Sequence, residues 1–210
     1  MSSITPVTRH LLIINVIMWL AAIAFLRVGI IDLNAILGLH YWKAEGFNPI
    51  QFVTYMFMHD TRSIFHIFFN MFSLWMFGGL LERVLGPKRY LFYYITCGLG
   101  AALVQELVWH FLSDYPFFSI TVGASGAVFG ILLAFGMLFP NMKMYIIPFP
   151  FPIKAKWVVL GYGLLELYFG IMGEFGDVAH FAHLGGMLAG IILILYWKHN
   201  GTLTRGNGFY

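Results

Sequence analysis

Six stretches dominated by apolar side chains follow one another along the chain, at residues 10–28, 63–85, 90–112, 125–139, 157–172 and 178–197, separated by polar or breaker-rich segments. A helix needs about 20 residues to cross the ~30 Å hydrocarbon layer of a bilayer. The fourth and fifth stretches fall short of that, so either adjoining loops dip into the membrane or those helices begin below its surface. The run Pro148-Phe149-Pro150-Phe151-Pro152 cannot be helix interior, because each proline lacks a donor and restricts its predecessor. It belongs to the connection between the fourth and fifth stretches. The segment 29–60 is too long for a tight turn, and Trp42, Phe47, Phe52, Tyr55 and Phe57 suggest that it rests at the membrane interface. The pattern predicts an all-α, polytopic membrane protein of six transmembrane helices. It forms a single domain over 1–210, with its membrane core at 10–197 and short tails.

Composition strengthens the membrane reading. Apolar residues make up 60% of the chain and charged residues 10%, against roughly 45–50% and about 25% in soluble domains. The net charge of +3 does not point to nucleic acid, since no basic cluster is interleaved with exposed aromatics. Cys97 is the single cysteine and sits in an apolar run, where a buried inert thiol is expected. The first apolar stretch is longer than a signal-peptide core, has no small-residue cleavage pattern and is followed by further spans.

Charge placement orients the helices. With six spans, Arg9, Arg83, Lys88, Arg89, Lys143, Lys154, Lys156, Lys198 and Arg205 share one side, and Arg27, Lys43 and Arg62 fall on the other. Such a bias places the cation-rich side and both termini in the cytoplasm. Asp32, Glu45, Asp60, Asp114, Glu174 and Asp177 lie on the outer side but carry little topological weight. The second, fourth and sixth spans then run inward from the outer face.

That orientation gives several polar residues one depth. His66 and Asn70 are four apart and share a helix face. Asn70 lies roughly 10 Å below Ser63, and His183 roughly 9 Å below Asp177. Ser125 opens the short fourth span. Polar side chains inside a span are costly and mark functional interior sites. Ser125 stands in Gly123-Ala124-Ser125-Gly126-Ala127, where glycines permit close approach. The first-turn N–H groups there can hold an oxyanion. Read alone, Ser125 is equally an N-cap in a small-residue seam. It does not sit in a Gly-x-Ser-x-Gly elbow, since position 127 is alanine. In Ala182-His183-Leu184-Gly185-Gly186, Gly186 and Gly190 form a small-xxx-small face suited to packing on the fourth span. Such packing would bring the His183 imidazole to the Ser125 hydroxyl as base to nucleophile. His66 and Asn70 suit an electrophilic role, both being able to donate to a developing oxyanion, or they are interhelical glue. His59 is expected to anchor the loop before the second span, and His180 to shape the mouth of the site. No acid completes a triad from this pattern, because Asp177 is at the rim and Glu166 lies within the fifth span. Glu166 is left to a hydrogen-bond partner or a water-filled crevice, and a Ser–His dyad is the expectation.

These residues resemble the signatures of the rhomboid family of intramembrane proteases, and a bacterial member is expected. Gly123-Ala124-Ser125-Gly126 is similar to the family's nucleophile motif, and Ala182-His183-Leu184-Gly185-Gly186 followed by Gly190 to the motif of its catalytic histidine. His66-Ile67-Phe68-Phe69-Asn70 resembles the segment whose histidine and asparagine hold the oxyanion. Gly78-Gly79-Leu80-Leu81-Glu82 resembles the pattern that ends the same span. The resemblance implies a rhomboid-like helical bundle around a buried fourth span, catalysis by Ser125 and His183, and oxyanion stabilisation by His66, Asn70 and the Ser125 N–H. Gly123, Phe129, Gly186 and Gly190 are supporting residues. It implies no cofactor and no metal. It implies substrates that are single-span or otherwise membrane-anchored proteins, cut in or near the transmembrane segment after a small residue. The site would open to the outer side of a bacterial inner membrane, with the fifth span and its following loop as a gate. Two positions depart from the family: Phe129 stands where many bacterial members have tyrosine, and Gln51-Phe52-Val53-Thr54 where many have a Trp-Arg pair. The other classes considered are a catalytically inactive rhomboid-like binder and a transporter or haem or metal protein built on intramembrane histidines. The last lacks a His-Glu-x-x-His motif and inverted-repeat symmetry.

Overall fold

The computed structural model describes residues 4–113, 116–145, 151–172 and 179–203. Helix α1 (Pro6–Val28) starts at a proline, whose missing N–H costs nothing in a first turn. It stops at Gly29, in the left-handed region at φ 71°. Next comes α2 (Leu33–Leu37), capped by the Asp32 carboxylate, which accepts from the Asn34 and Ala35 N–H groups. After α3 (Gln51–Thr54) and a 3₁₀ turn at Tyr55–Phe57, the second long helix occupies Ile64–Leu85. It consists of α4 (Ile64–Ser73) and α5 (Gly79–Leu85), joined through a π-helical turn at Leu74–Gly78. The remaining helices are α6 (Pro87–Leu112), α7 (Ser125–Leu138), α8 (Ala155–Met172) and α9 (His180–His199). Antiparallel pairs join β1 (Leu39–His40) to β2 (Ile120–Thr121) and β3 (Lys143–Met144) to β4 (Ile153–Lys154).

Five helices among the described residues are long and apolar enough to cross a membrane, and the fourth apolar stretch forms a shorter helix, as its length led one to expect. Ser125–Leu138 has 14 residues, or about 21 Å of helix, too little for the hydrocarbon layer. The fifth apolar stretch, expected to be short, reaches 18 residues because the helix starts at Ala155. Pro148 to Pro150 lie outside the described residues, while Phe151 and Pro152 precede β4 without helix.

The surface is rich in apolar side chains, unlike that of a water-soluble fold, and the mainly apolar interior also holds polar side chains. Ile17, Phe65, Phe69, Leu103, Leu164 and Ile192 are all exposed on the long helices. Thr8, Asn15, Asn70, Glu82, Gln105 and Glu106 are buried within them. Each buried charge needs a partner. Glu82 finds one at the start of α1: its carboxylate accepts from the Val7 and Thr8 N–H groups and the Thr8 hydroxyl at 2.8–2.9 Å. That contact clamps α5 to α1 and satisfies helix donors that a bilayer would leave bare.

Short α7 is the centre of the bundle. Ten of its 14 residues are buried, among them Gly126, Gly130, Ile131, Ala134 and Phe135, so protein rather than lipid surrounds it. Helices α6 and α9 pack on it and on each other. The expectation for Gly186 and Gly190 is met by half. A methyl group at Gly186 would collide with the Gly126 carbonyl of α7, but one at Gly190 would strike Tyr93 Oη of α6. The two glycines are four residues apart on a helix that fits between two neighbours, so each serves a different one.

Contacts at the helix ends agree with the alternating topology. The start of α1 meets the end of α5 through Glu82, and Lys198 Nζ at the end of α9 donates to the Met137 carbonyl near the end of α7 at 3.4 Å. The β1–β2 pair ties the segment after α1 to the segment before α7. Arg205, Asp114, Glu174 and Asp177, used in the charge comparison, lie outside the described residues.

Candidate active site

Ser125 is the first residue of α7 and His183 lies one turn into α9. The collision-limited contact of Gly126 with Gly186 sets how closely these helices approach. As a result Ser125 Oγ lies 2.8 Å from His183 Nε2, within hydrogen-bond range. Phe129, one turn after Ser125, lies flat on the imidazole, with ring centroids 4.3 Å apart and planes at 10°. The phenyl ring therefore supplies a stacking face without needing a hydroxyl.

The space beside Ser125 is lined for an anion. Gly123 has φ 133°, a conformation that excludes other residues. A Cβ there would sit 2.9 Å from His66 Nε2 and 3.5 Å from Ser125 Oγ. A side chain at this position would crowd both the His66 imidazole and the Ser125 hydroxyl, and glycine keeps the two clear. The Asp60 N–H points to His66 Nδ1 at 3.2 Å. With Nδ1 accepting, the proton is on Nε2, which faces that space as a donor. Asn70 is buried one turn below, and its Nδ2 donates to the His66 carbonyl at 2.9 Å. One N–H of the amide remains for another acceptor.

Glu166 is the residue that the sequence left without a place. Its Oε2 lies 2.8 Å from His183 Nδ1 and 2.7 Å from His180 Nδ1. The expectation that no acid reaches His183 is therefore corrected. Its depth was readable: Glu166 is six residues before the end of α8, about 9 Å, and His183 was assigned a similar depth. A carboxylate inside an apolar helix also demands a partner. His180, expected at the mouth, is instead buried against Glu166. Glu166, His180 and His183 offer three ligand atoms within 4.8 Å of one another, a set able to hold a metal ion.

Of the five aromatic residues in the segment before α4, Trp42 is exposed, Phe47, Phe52 and Phe57 are half-buried, and Tyr55 is packed inside, where it supports the site. Tyr55 is 2% exposed, its carbonyl accepts from the Gly123 N–H at 3.0 Å, and its hydroxyl donates to the Gly98 carbonyl at 2.7 Å. Gln51, at the position of the departure from the family pattern, holds the segment's fold. Its Nε2 donates to the Ile36 and Gly46 carbonyls, and its Oε1 accepts from the His40 and Asn48 N–H groups. His59 is fully buried with its ring centroid 5.2 Å from that of His66. Burial, and then the neighbouring His66, push its pKa down to about 3, so it stays neutral.

Residues 46–199 match the family described as Rhomboid domain. The chain is 31% identical over 132 residues to "Rhomboid protein 1, mitochondrial" of Saccharomyces cerevisiae, covering 62% of this chain and 37% of that protein. It is 29% identical over 196 residues to "Rhomboid-like protein 11, chloroplastic" of Arabidopsis thaliana, covering 79% and 62%. It is 30% identical over 150 residues to "Presenilin-associated rhomboid-like protein, mitochondrial" of Bos taurus, covering 68% and 38%. The chain thus spans 37% to 62% of the length of these three relatives.

Proposed function

Because the chain belongs to the rhomboid family, we propose that it is an intramembrane serine endopeptidase that cuts membrane-anchored proteins in or near their transmembrane segments. The observation that carries this reading is the 2.8 Å contact between Ser125 Oγ and His183 Nε2 inside an apolar bundle. His183 takes the Ser125 proton as the hydroxyl attacks the scissile carbonyl. The resulting oxyanion is held beside Ser125 by the His66 Nε2–H, an Asn70 N–H and the Ser125 N–H. His183 then gives its proton to the leaving amine, and water cleaves the acyl-enzyme by the same route. Substrates are single-span or other membrane-anchored proteins, and the bilayer is the medium in which they are met.

The nine-to-three distribution of cations supports cytoplasmic termini, with the site opening to the opposite face. The relatives named above carry mitochondrial or chloroplast names. The expectation of a bacterial inner membrane therefore rests on the sequence alone.

Purified protein is to be incubated in detergent or liposomes with a labelled single-span substrate, beside Ser125→Ala and His183→Ala. Either substitution lowers kcat by about 10³-fold or more. Undiminished cleavage by either variant refutes the assignment. A second reading is favoured by the Glu166, His180 and His183 donor set, a metal-dependent site. A chelator leaves cleavage unchanged on the serine reading and abolishes it on the metal reading.

A further inference from the structure

Glu166 is held where the reaction needs a third group. Among the described residues, the buried positions of α8 are Ala155, Val158 and Val159, all in its first turns. Further along, Leu164, Leu165, Leu167 and Ile171 are exposed, and nothing lies within 4 Å of a Cβ placed at Gly161. The later part of α8 meets α9 closely where it carries glycine, Gly163 against Met187 and Gly170 against Phe181. Its polar link to α9 is Glu166 Oε2, shared between His180 Nδ1 at 2.7 Å and His183 Nδ1 at 2.8 Å. The side chains of all three are close to fully buried, at 9–12% exposure.

We propose that Glu166 is the positioning residue for His183, fixing the tautomer in which Nδ1 carries the proton and Nε2 is free to accept it from Ser125. The proposal rests on Ser125 being the nucleophile and His183 its base. A carboxylate accepts and does not donate, so a short contact with Nδ1 puts the proton on Nδ1. One imidazole nitrogen is then committed to Glu166, and the other presents a lone pair to the Ser125 hydroxyl 2.8 Å away. Phe129 covers one face of the ring. Nδ1, Nε2 and that face are all engaged, and the imidazole cannot rotate without losing all three contacts.

During attack the Ser125 proton moves to Nε2 as the Oγ–C bond forms, while the Nδ1 proton stays in place. The imidazolium so formed lies beside the carboxylate in a medium poor in water, where opposite charges attract strongly. Nε2 later returns its proton to the leaving amine as the C–N bond breaks. His180 donates to the same oxygen and keeps the carboxylate from swinging toward lipid. Glu166 is carried by α8 and His183 by α9, so the tautomer depends on the two helices keeping their register.

The test compares Glu166→Gln with Glu166→Ala in the full chain, in two measurements. A structural role for Glu166 makes glutamine, with its matching shape, the milder change. A tautomer-fixing role reverses that order, because the new amide can donate to Nδ1 and hold the proton on Nε2. Glu166→Gln is expected to lower kcat by about 10²–10⁴-fold with KM changed less than about threefold, and to fall below Glu166→Ala. In protein labelled with ¹⁵N-histidine, the His183 signals are expected to read Nδ1–H in the wild type and to move toward Nε2–H in Glu166→Gln. A kcat for Glu166→Gln within about threefold of wild type, or an unchanged His183 tautomer, overturns the proposal. Ser125→Ala is assayed alongside: its retained cleavage would count against the nucleophile, whereas the nitrogen spectra judge Glu166 without any substrate.

Discussion

A methyl group added at Gly123 would stand 2.9 Å from His66 Nε2 and 3.5 Å from Ser125 Oγ. The first is a clash with the donor and the second a contact with the nucleophile. Gly123→Ala therefore displaces His66 and also forces a side chain onto φ 133°. Losing oxyanion contacts costs about 10²–10³ in kcat, so the variant is expected to retain substrate binding and lose at least that much turnover. A Michaelis analysis with a single-span substrate checks it, and full turnover would place the oxyanion elsewhere. At this scale the sequence was informative about identity and weak about pairing. Ser125, His183, His66 and Asn70 were legible because each is polar within an apolar run. The partner of Glu166 was not, because it depends on how two helices rotate against each other. Gln51 was noticed only as a departure from a pattern, since its four hydrogen bonds all run to backbone groups that no spacing reveals.

The elements were read well where apolar length alone defines them. Helix starts moved outward to Pro6, Pro87 and Ala155 because polar or proline first turns do not look apolar. In the loop before α4 the sequence does not distinguish the aromatic residues from one another. Aromatic residues suit an interface and an interior alike, and the docking of Tyr55 on Gly123 and Gly98 sets it apart from the exposed Trp42. Between helices, the closest approach is Gly126 against Gly186. A Gly186→Ala methyl group meets the Gly126 carbonyl and must push α7 and α9 apart, which separates Ser125 from His183. We expect a loss of about 1–3 kcal/mol in stability together with a fall in kcat. Gly161→Ala is the matched control, because its methyl group meets nothing within 4 Å. There alanine is expected to be neutral or to stabilise α8 by up to about 1 kcal/mol. Thermal unfolding of the two variants in one detergent checks the contrast, and equal effects would mean that the α7–α9 contact is not tight.

For the whole molecule, apolar side chains cover the long helices, and the short helix α7 lies buried among them with Ser125 at its N-terminal end. A helix of 14 residues is too short for the hydrocarbon layer, and on the proposed reading its start lies below the outer surface, so water need only descend partway. The central claim is that His183 activates Ser125 for attack. A fluorophosphonate reacts with a serine hydroxyl only when a base withdraws its proton, and it requires no knowledge of the natural substrate. Wild-type protein is therefore to be labelled with such a probe, the adduct mapped by peptide mass spectrometry, and the rate compared with that of His183→Ala. An adduct on Ser125, formed at least about 10²-fold more slowly when His183 is removed, is the result predicted. An adduct elsewhere, or one formed on Ser125 at the same rate without His183, would contradict it.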